Sequence, residues 1–577
     1  MQEPTLFQRR KATTGCETTM HRAPAGVGEQ GMQALGSFRN LGGPTVSAWM
    51  VRKGSRENKP LAQAGWRSFR HGSEETSVGR YRKVRMKPEE KSGRKSERFE
   101  VPRSQGNQTT RDLEEGRDRQ IMESLEGEMS GTLGPGSIST GLQGVAELSR
   151  RKPEMVWTTL AHHIDLGLLR EAYRLTRKNG AVGVDGQTAK EYAKDLEGNL
   201  KALLERLKSG TYKAPPVRRV YIPKGDGKKK RPIGIPTLED KILQRAVVLV
   251  LEAVYEEDFL DCSYGSRPCR SAHQALVKVW QELMRIGGGF VIEVDVEKFF
   301  EMLDHGHLRD FLDKRVRDGV IRRVIGKWLK AGVLEEGEVQ ETESGTPQGG
   351  VISPLLANIF LHEVVDKWFE EQVKPRLSGN AFMVRYADDI LMVFSLERDA
   401  KKVMSVLPKR FGRFGLSLHP EKTRLVDFRR PKRTSDEGSL GQGSGPAVFD
   451  LLGFTHYWGK TPKGGLAVKR KTARDRFGRS LRRVVRWCRN NRHLAIRIQY
   501  HTLARKLQGY YQYYGIIGNQ HAVTRFLYEV KRVWRKWLDR RSQKRSMPWA
   551  RFVRLLDRYP LPEPSRARLA VPIAARP

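Results

Sequence analysis

The sequence predicts an α/β protein whose strand-forming segments carry acidic residues, joined to a helical, arginine-rich C-terminal part. Three observations lead there. The apolar run Ile390-Leu391-Met392-Val393-Phe394 follows directly on Tyr386-Ala387-Asp388-Asp389, and a second strand-like run at 290–296 holds Asp295. Amphipathic helical spacing recurs elsewhere, as in Leu196, Leu200, Leu203, Leu204 and Leu207. Residues 470–545 then change character, becoming helical and rich in Arg, with aromatics at intervals.

Residues 1–145 form a basic, low-complexity extension rich in Gly, Ser, Arg and Glu. Such a segment buries too little apolar area to offset the entropy of ordering, so it is expected to be flexible. Regular structure is expected to begin near Leu148. A helical pattern at Leu168, Leu169, Ala172 and Tyr173 precedes a turn-rich link at Gly180, Gly183 and Gly186, and then a helix over 192–208. A strand over 217–223 leads into the basic loop from Lys224 to Arg231, and 243–255 reads as a buried helix. The α/β region over 260–460 includes helices near 307–330 and 355–368 and a Gly/Ser-rich surface loop at 434–446. Its last strand-like return is Phe449-Asp450-Leu451-Leu452-Gly453-Phe454.

Charge narrows the choice of partner. A formal charge of +40 over 577 residues is the electrostatic footprint expected of a phosphate-backbone binder. No stretch approaches the roughly 20 apolar residues of a membrane span, and the N-terminus lacks the apolar core of a secretory signal. No membrane partner is expected, and the expected location is cytoplasmic. Cys16, Cys262, Cys269 and Cys488 are too scattered for a disulfide framework and read as reduced thiols.

The chemistry lies in the carboxylates. Acidic groups on neighbouring strands suit a pair of divalent ions about 3.5–4 Å apart, as nucleotidyl transfer requires. Asp295, Asp388 and Asp389 are the expected catalytic and metal-binding residues, with Asp295 and Asp388 shared between two ions and Asp389 supporting the second ion or the primer side. A plain hairpin turn would account for Asp388-Asp389, but not for Asp295 in a matching strand.

Phe300 follows Asp295 by five positions, where a ring can lie below an incoming sugar and exclude a 2′-hydroxyl; Phe299 reads as core. Lys224 and Arg231 flank a Gly-rich loop and are the expected triphosphate donors, Arg231 the firmer because a guanidinium engages phosphate bidentately. A solvated charge run is the bland alternative, and the Gly-x4-Gly-Lys-Ser/Thr spacing of nucleotide hydrolases is absent. In Gly345-Thr346-Pro347-Gln348-Gly349-Gly350 the glycines permit close backbone approach, and Gln348 is placed to contact a sugar or base edge.

Taken in order, these segments resemble a group II intron-encoded reverse transcriptase and maturase, over residues 150–560. Val184-Asp185-Gly186 resembles the family's N-terminal finger boundary. Tyr221-Ile222-Pro223-Lys224 through Ile235-Pro236 resembles its triphosphate-binding finger. The segment from Tyr264 to His273 resembles its template-contacting part, with Ser266 departing from the aromatic residue common before Arg-Pro. Asp295, the block from Thr346 to Asn358 and Tyr386 to Asp389 resemble successive palm motifs. Gly415 to Thr423 resembles the next, where Lys422 implies contact with nucleotide phosphate, and Leu451-Leu452-Gly453-Phe454 resembles the primer grip.

The resemblance implies a right-hand polymerase: an N-terminal part and fingers over 146–275, an α+β palm over 276–465, a helical thumb and maturase (X) domain over 466–545, and a basic tail over 546–577 that could contact DNA. It implies an RNA-directed DNA polymerase and RNA maturase using two Mg²⁺ ions and dNTPs; carboxylates alone also accept Mn²⁺. Implied partners are group II intron RNA, with target DNA and primer, and nucleoid association during mobility; monomer and homodimer both remain compatible. Arg267, Arg270, Leu452, Gly453, Arg482, Arg486, Tyr510 and Tyr513 are the expected nucleic-acid contacts, although Tyr510, Tyr513, Trp534 and Trp537 also suit a thumb core. No His-Asn-His nuclease pattern or paired Cys-x-x-Cys follows the thumb, as in forms lacking the endonuclease domain. The alternatives are a domesticated, defence or repair reverse transcriptase and a splicing-only RNA-binding maturase.

Overall fold

The first described helix, Thr140–Arg151, already crosses the boundary expected near residue 145. The structure is a computed structural model describing residues 140–224, 229–335, 338–340, 345, 349–431, 447–541 and 546–564. The loop expected at 434–446, Gln348, Cys16 and nearly all of the N-terminal extension lie outside these residues. Leu142 and Val145 of the first helix are buried, and Arg150 reaches Glu257 through two bonds of 2.8 Å.

Glu257 belongs to the helix Leu238–Asp258, which extends beyond the expected 243–255. Thr237 starts it, its hydroxyl accepting the Asp240 N–H at 3.2 Å. Ile242, Leu243, Ala246, Val247, Val250 and Leu251 are all buried. A helix apolar on every side belongs in an interior, and helices Thr140–Arg151 and Leu166–Leu175 pack against it.

Eleven strands are described. In chain order they are β1 (Val217–Lys224), β2 (Lys229–Ile235), β3 (Phe290–Asp295), β4 (Val333–Glu335), β5 (Glu338–Gln340), β6 (Ala381–Tyr386), β7 (Asp389–Phe394), β8 (Arg424–Asp427), β9 (Phe449–Leu451), β10 (Phe454–Lys460) and β11 (Leu466–Thr472). They form three sheets, ordered β2-β1-β4-β5, β6-β7-β3-β8 and β11-β10-β9.

The second sheet is antiparallel and separates two cores. Successive side chains of a strand point to opposite faces. Thus Phe290, Ile292, Val294, Ile390, Met392 and Phe394 join the core of the N-terminal helices, while Val291, Leu391 and Val393 join the core of the C-terminal helices. Burial on both faces explains why β3 and β7 read as continuous apolar runs rather than alternating ones.

The helix expected over 355–368 is instead Ser353–Leu361, continued by wider π-helical turns at His362–Asp366 and Trp368–Val373. Apolar periodicity does not reveal such widening, because Val364, Val365, Trp368 and Phe369 set among Glu363, Lys367, Glu370 and Glu371 read as an ordinary amphipathic helix. Beyond β11 come helices Arg474–Asn490, Ile496–Tyr514, Gln520–Asp539 and Trp549–Arg558. Among the described residues no helix is long and apolar enough to cross a membrane.

Candidate active site

The β3–β7 register sets Asp295 directly opposite Asp389. Tyr386 pairs with Asp389 across the β6–β7 hairpin, so Ala387 and Asp388 form its two-residue turn. The three sequence-predicted carboxylates therefore meet at one end of the central sheet. Burial and the like charges of Asp388 and Asp295 raise the Asp389 pKa to about 7, against the opposing pull of Arg476 and Lys422. Asp389 keeps an exposed face all the same, so solvent reaches its carboxylate.

Asp295 is held from the 415–423 segment. Its carboxylate pairs with the Lys422 ammonium, its carbonyl accepts the His419 N–H at 2.8 Å, and its own N–H reaches the Thr423 hydroxyl at 3.3 Å. Among the described residues no three acidic, His or Cys side chains close on a common point as a ready metal cage. The donor set still fits a hard divalent cation. Its ligands are carboxylate oxygens, and the repulsion that raises Asp389 is what a bound cation relieves.

The turn rests on Gly265. A Cβ at Gly265 would lie 2.2 Å from the Ala387 nitrogen and 2.8 Å from the Tyr386 carbonyl carbon, so only glycine fits beneath the hairpin. The neighbouring backbone pairs with β6: Arg385 N–H donates to Cys262 at 2.7 Å, and Tyr264 N–H donates to Arg385 at 2.9 Å. Arg267, an expected nucleic-acid contact, is turned inward. It is 4% exposed and bonded to Glu256 and to the carbonyls of Leu260 and Ser263, all at 2.9 Å. Arg270 is partly exposed, paired with Asp261 at 2.7 Å and lying over the Tyr264 ring.

Arg231 lies on β2 opposite Ile222 and is half-buried. The Lys224 side chain lies outside the described residues. Two glycines of the 345–350 loop make close approaches. A Cβ at Gly345 would stand 2.7 Å from the carbonyls of Phe300 and Glu301, and one at Gly349 would stand 2.4 Å from the Gly234 carbonyl. Gly345 thus lies against the backbone of Phe300, and Gly349 against that of β2. Phe300 is half-buried, edge-on to the buried Phe299 at 5.3 Å.

Leu452 and Gly453 form the β9–β10 turn with φ of +51° and +78°. The Tyr513 hydroxyl donates to the Leu452 carbonyl at 2.8 Å, and His273 reaches the Tyr513 carbonyl at 2.8 Å. Tyr513 is accordingly a brace for this turn. Tyr510 is core, stacked on Phe526 with centroids 3.8 Å apart, and Trp534 is buried with its N–H on Gln499. Arg482 and Arg486 are exposed on one face of helix Arg474–Asn490, whose other face buries Val484, Trp487 and Cys488.

Two residues overlooked in the sequence reading hold the site in register. The Gln244 side-chain carbonyl accepts the Val351 N–H at 2.8 Å, fixing the end of the 345–350 loop to the central helix. Glu293 accepts the Asp450 N–H at 3.0 Å and pairs with Arg424, tying the Asp295 strand to β9. For Glu293 the available signal is an acidic residue inside an apolar strand.

Residues 222–456 match the family model described as "Reverse transcriptase (RNA-dependent DNA polymerase)". The chain is similar to the group II intron-encoded protein LtrA of Lactococcus lactis subsp. cremoris, 46% identical over 168 residues, covering 29% of this chain and 28% of that protein. It is also similar to protein YkfC of Escherichia coli (strain K12), 41% identical over 219 residues, 37% of this chain and 56% of that one. Nuclear intron maturase 3, mitochondrial, of Arabidopsis thaliana is 25% identical over 335 residues, 52% of this chain and 42% of that one. The chain thus spans 28% to 56% of the length of these relatives.

Proposed function

We propose that this chain, which carries a reverse transcriptase domain and is a relative of the group II intron-encoded proteins, is an RNA-directed DNA polymerase and intron RNA maturase. The observation that carries the reading is the meeting of Asp295, Asp388 and Asp389 at one end of the β3–β7 pair. In this reading residues 146–275 supply fingers, 276–465 the palm, and 466–545 a thumb and maturase domain on a right-hand plan. The exposed arginines of helix Arg474–Asn490 suit an RNA backbone.

Asp295, Asp388 and Asp389 would hold two Mg²⁺ ions, which supply activation of a primer 3′-hydroxyl and neutralisation of the leaving pyrophosphate. Arg231, with Lys224 and Lys422, faces the triphosphate. Lys422 already sits on Asp295, so its ammonium is placed to exchange that carboxylate for a nucleotide phosphate. Phe300, carried beside the Gly345 loop, excludes a 2′-hydroxyl and selects deoxynucleotides, while Gln348 contacts the sugar or base. The Leu452–Gly453 turn seats the primer end. The RNA performs the chemistry of splicing, and the protein stabilises its active fold.

The test is extension of a DNA primer annealed to RNA, with dNTPs and Mg²⁺. Wild-type protein should make cDNA, and Asp388→Ala should lower the rate by on the order of 10³-fold or more, since several kcal/mol of charge stabilisation is removed. Equal extension by both proteins would refute this site. No extension by either, with intact RNA binding, would leave a splicing-only maturase.

A further inference from the structure

The residue that ends β6, just before the catalytic turn, is a fully buried arginine. Arg385 is 0% exposed, and all five of its N–H donors are engaged. Nε and Nη2 bind the two carboxylate oxygens of Asp366 at 2.8 and 2.6 Å. Nη2 also reaches the Ser263 hydroxyl at 2.7 Å. Nη1 reaches the Asn358 side-chain carbonyl at 2.8 Å and the backbone carbonyl of Ala387 at 3.2 Å. Ala387 is the first residue of the turn, held at φ +54°, a conformation costly for an L side chain.

The partners are themselves fixed. The Asn358 amide donates to the Gly265 carbonyl at 2.9 Å, and Gly265 is the residue lying directly beneath the turn. Asp366 is fully buried and is presented by the π-helical turn His362–Asp366; such widened turns concentrate at functional positions. A buried ion pair adds little net stability over apolar residues of the same volume. What this pair does provide is a planar, five-pronged fixture behind a strained turn.

We propose that Arg385 is a positioning residue for the catalytic hairpin: oriented by Asp366, Asn358 and Ser263, it fixes the Ala387 carbonyl and so aims Asp388 and Asp389 at Asp295. Lysine cannot substitute, having three donors and no fork. The inference rests on the polymerase reading above and deepens it.

Arg385→Ala alone would strand Asp366 as a buried charge and endanger the fold. The decisive protein is therefore the double variant Arg385→Met/Asp366→Leu, which replaces the pair by apolar side chains. Asn358→Ala, which keeps the ion pair and removes one brace, is tested beside it. Circular dichroism and thermal unfolding check the fold, electron paramagnetic resonance reads Mn²⁺ binding, and primer extension gives kcat and KM. The folded double variant should bind Mn²⁺ about 10–100-fold more weakly and lose about 100-fold in kcat, with the KM for primer–template unchanged. Asn358→Ala should show the same pattern at about 10-fold. Folded variants with wild-type Mn²⁺ affinity and kcat would overturn the proposal and leave Arg385 as core filling. If wild-type protein makes no cDNA, the polymerase reading fails by itself, and the Mn²⁺ comparison still decides whether Arg385 places the carboxylates.

Discussion

The β6–β7 hairpin carries its carboxylates on a turn fixed from beneath by backbone and by a saturated buried arginine, whereas the β1–β2 hairpin, which carries Arg231, is tied in by a short pairing and by partly exposed side chains. Five of the six β6 residues are buried. On β1 only Val217 is buried among the side chains described, and Tyr221 is 46% exposed. β1 joins the rest of its sheet through two parallel pairs with β4, Val217 with Val333 and Arg218 with Leu334, and through side-chain contacts of Tyr221 and Arg219 with Glu335. In the polymerase reading proposed above, the contrast matches two tasks. Carboxylates that share cations lose rate with small displacements, while an arm that closes on a ligand gains from low local stability.

The comparison breaks most visibly at Gly265. In Gly265→Ala the new methyl would overlap the Ala387 backbone, so primer extension should fall by about 100-fold or more, with a lower melting temperature. Wild-type extension by this variant would mean that the turn is not fixed from below. Arg231→Ala should behave differently. Losing charge-assisted bonds worth about 1.5–3 kcal/mol should raise the KM for dNTP at least tenfold (about 1.4 kcal/mol per decade), with the melting temperature unchanged. A matching loss of stability would show that the β1–β2 arm is as firmly built as the β6–β7 hairpin.

His456 gives a scale for burial that serves neither hairpin. It is fully buried, stacked on Phe449, and desolvation with the nearby Arg470 lowers its pKa to about 3. A folded value below the unfolded 6.5 means stability present above pH 6.5 and lost as pH falls towards 3. Relative to His456→Leu, the wild type should lose about 2 kcal/mol between pH 7 and pH 5, measured by denaturant unfolding at each pH. A pH-independent difference would place the imidazole in contact with water. The smallest effect is expected at Tyr513→Phe, which deletes the bond to the Leu452 carbonyl. A loss of about 1 kcal/mol should appear as a severalfold rise in the KM for primer–template, and an unchanged KM would remove the brace role.

The three carboxylates were legible because each sits at the end of a strand-like apolar run, and strand pairing then brings such ends together. The buried support was not. Arg385 reads locally as a charged interruption of Met383-Val384, and its partners Asp366, Asn358 and Ser263 are brought to it only by the tertiary fold. Arg267 was expected to contact nucleic acid because its segment resembles a template-contacting one; the acceptors that draw it inward are two backbone carbonyls and Glu256, which carry no sequence signature as a set. Tyr510 was ambiguous for the same reason, since an aromatic on an amphipathic helix serves a core or a stacking platform equally well. Helix starts were harder to place than ends: the helix expected over 192–208 ends at Lys208 but begins at Leu196, capped by Asp195, and the one expected over 243–255 begins five residues earlier, at Leu238; nothing local announced the widened turns after Leu361.

The sheet β2-β1-β4-β5 has a mechanical meaning. One edge bears Arg231, and the chain leaving the other edge runs within a few residues into the loop of Gly345 and Gly349. Gly349 in turn lies against Gly234 of β2, at the first edge. In the polymerase reading proposed above, the phosphate contact at Arg231 and the sugar contact beside Gly345 belong to two ends of one sheet. In that reading the short β1–β4 pairing joins the two ends, and a substitution at Val333 should weaken both contacts together.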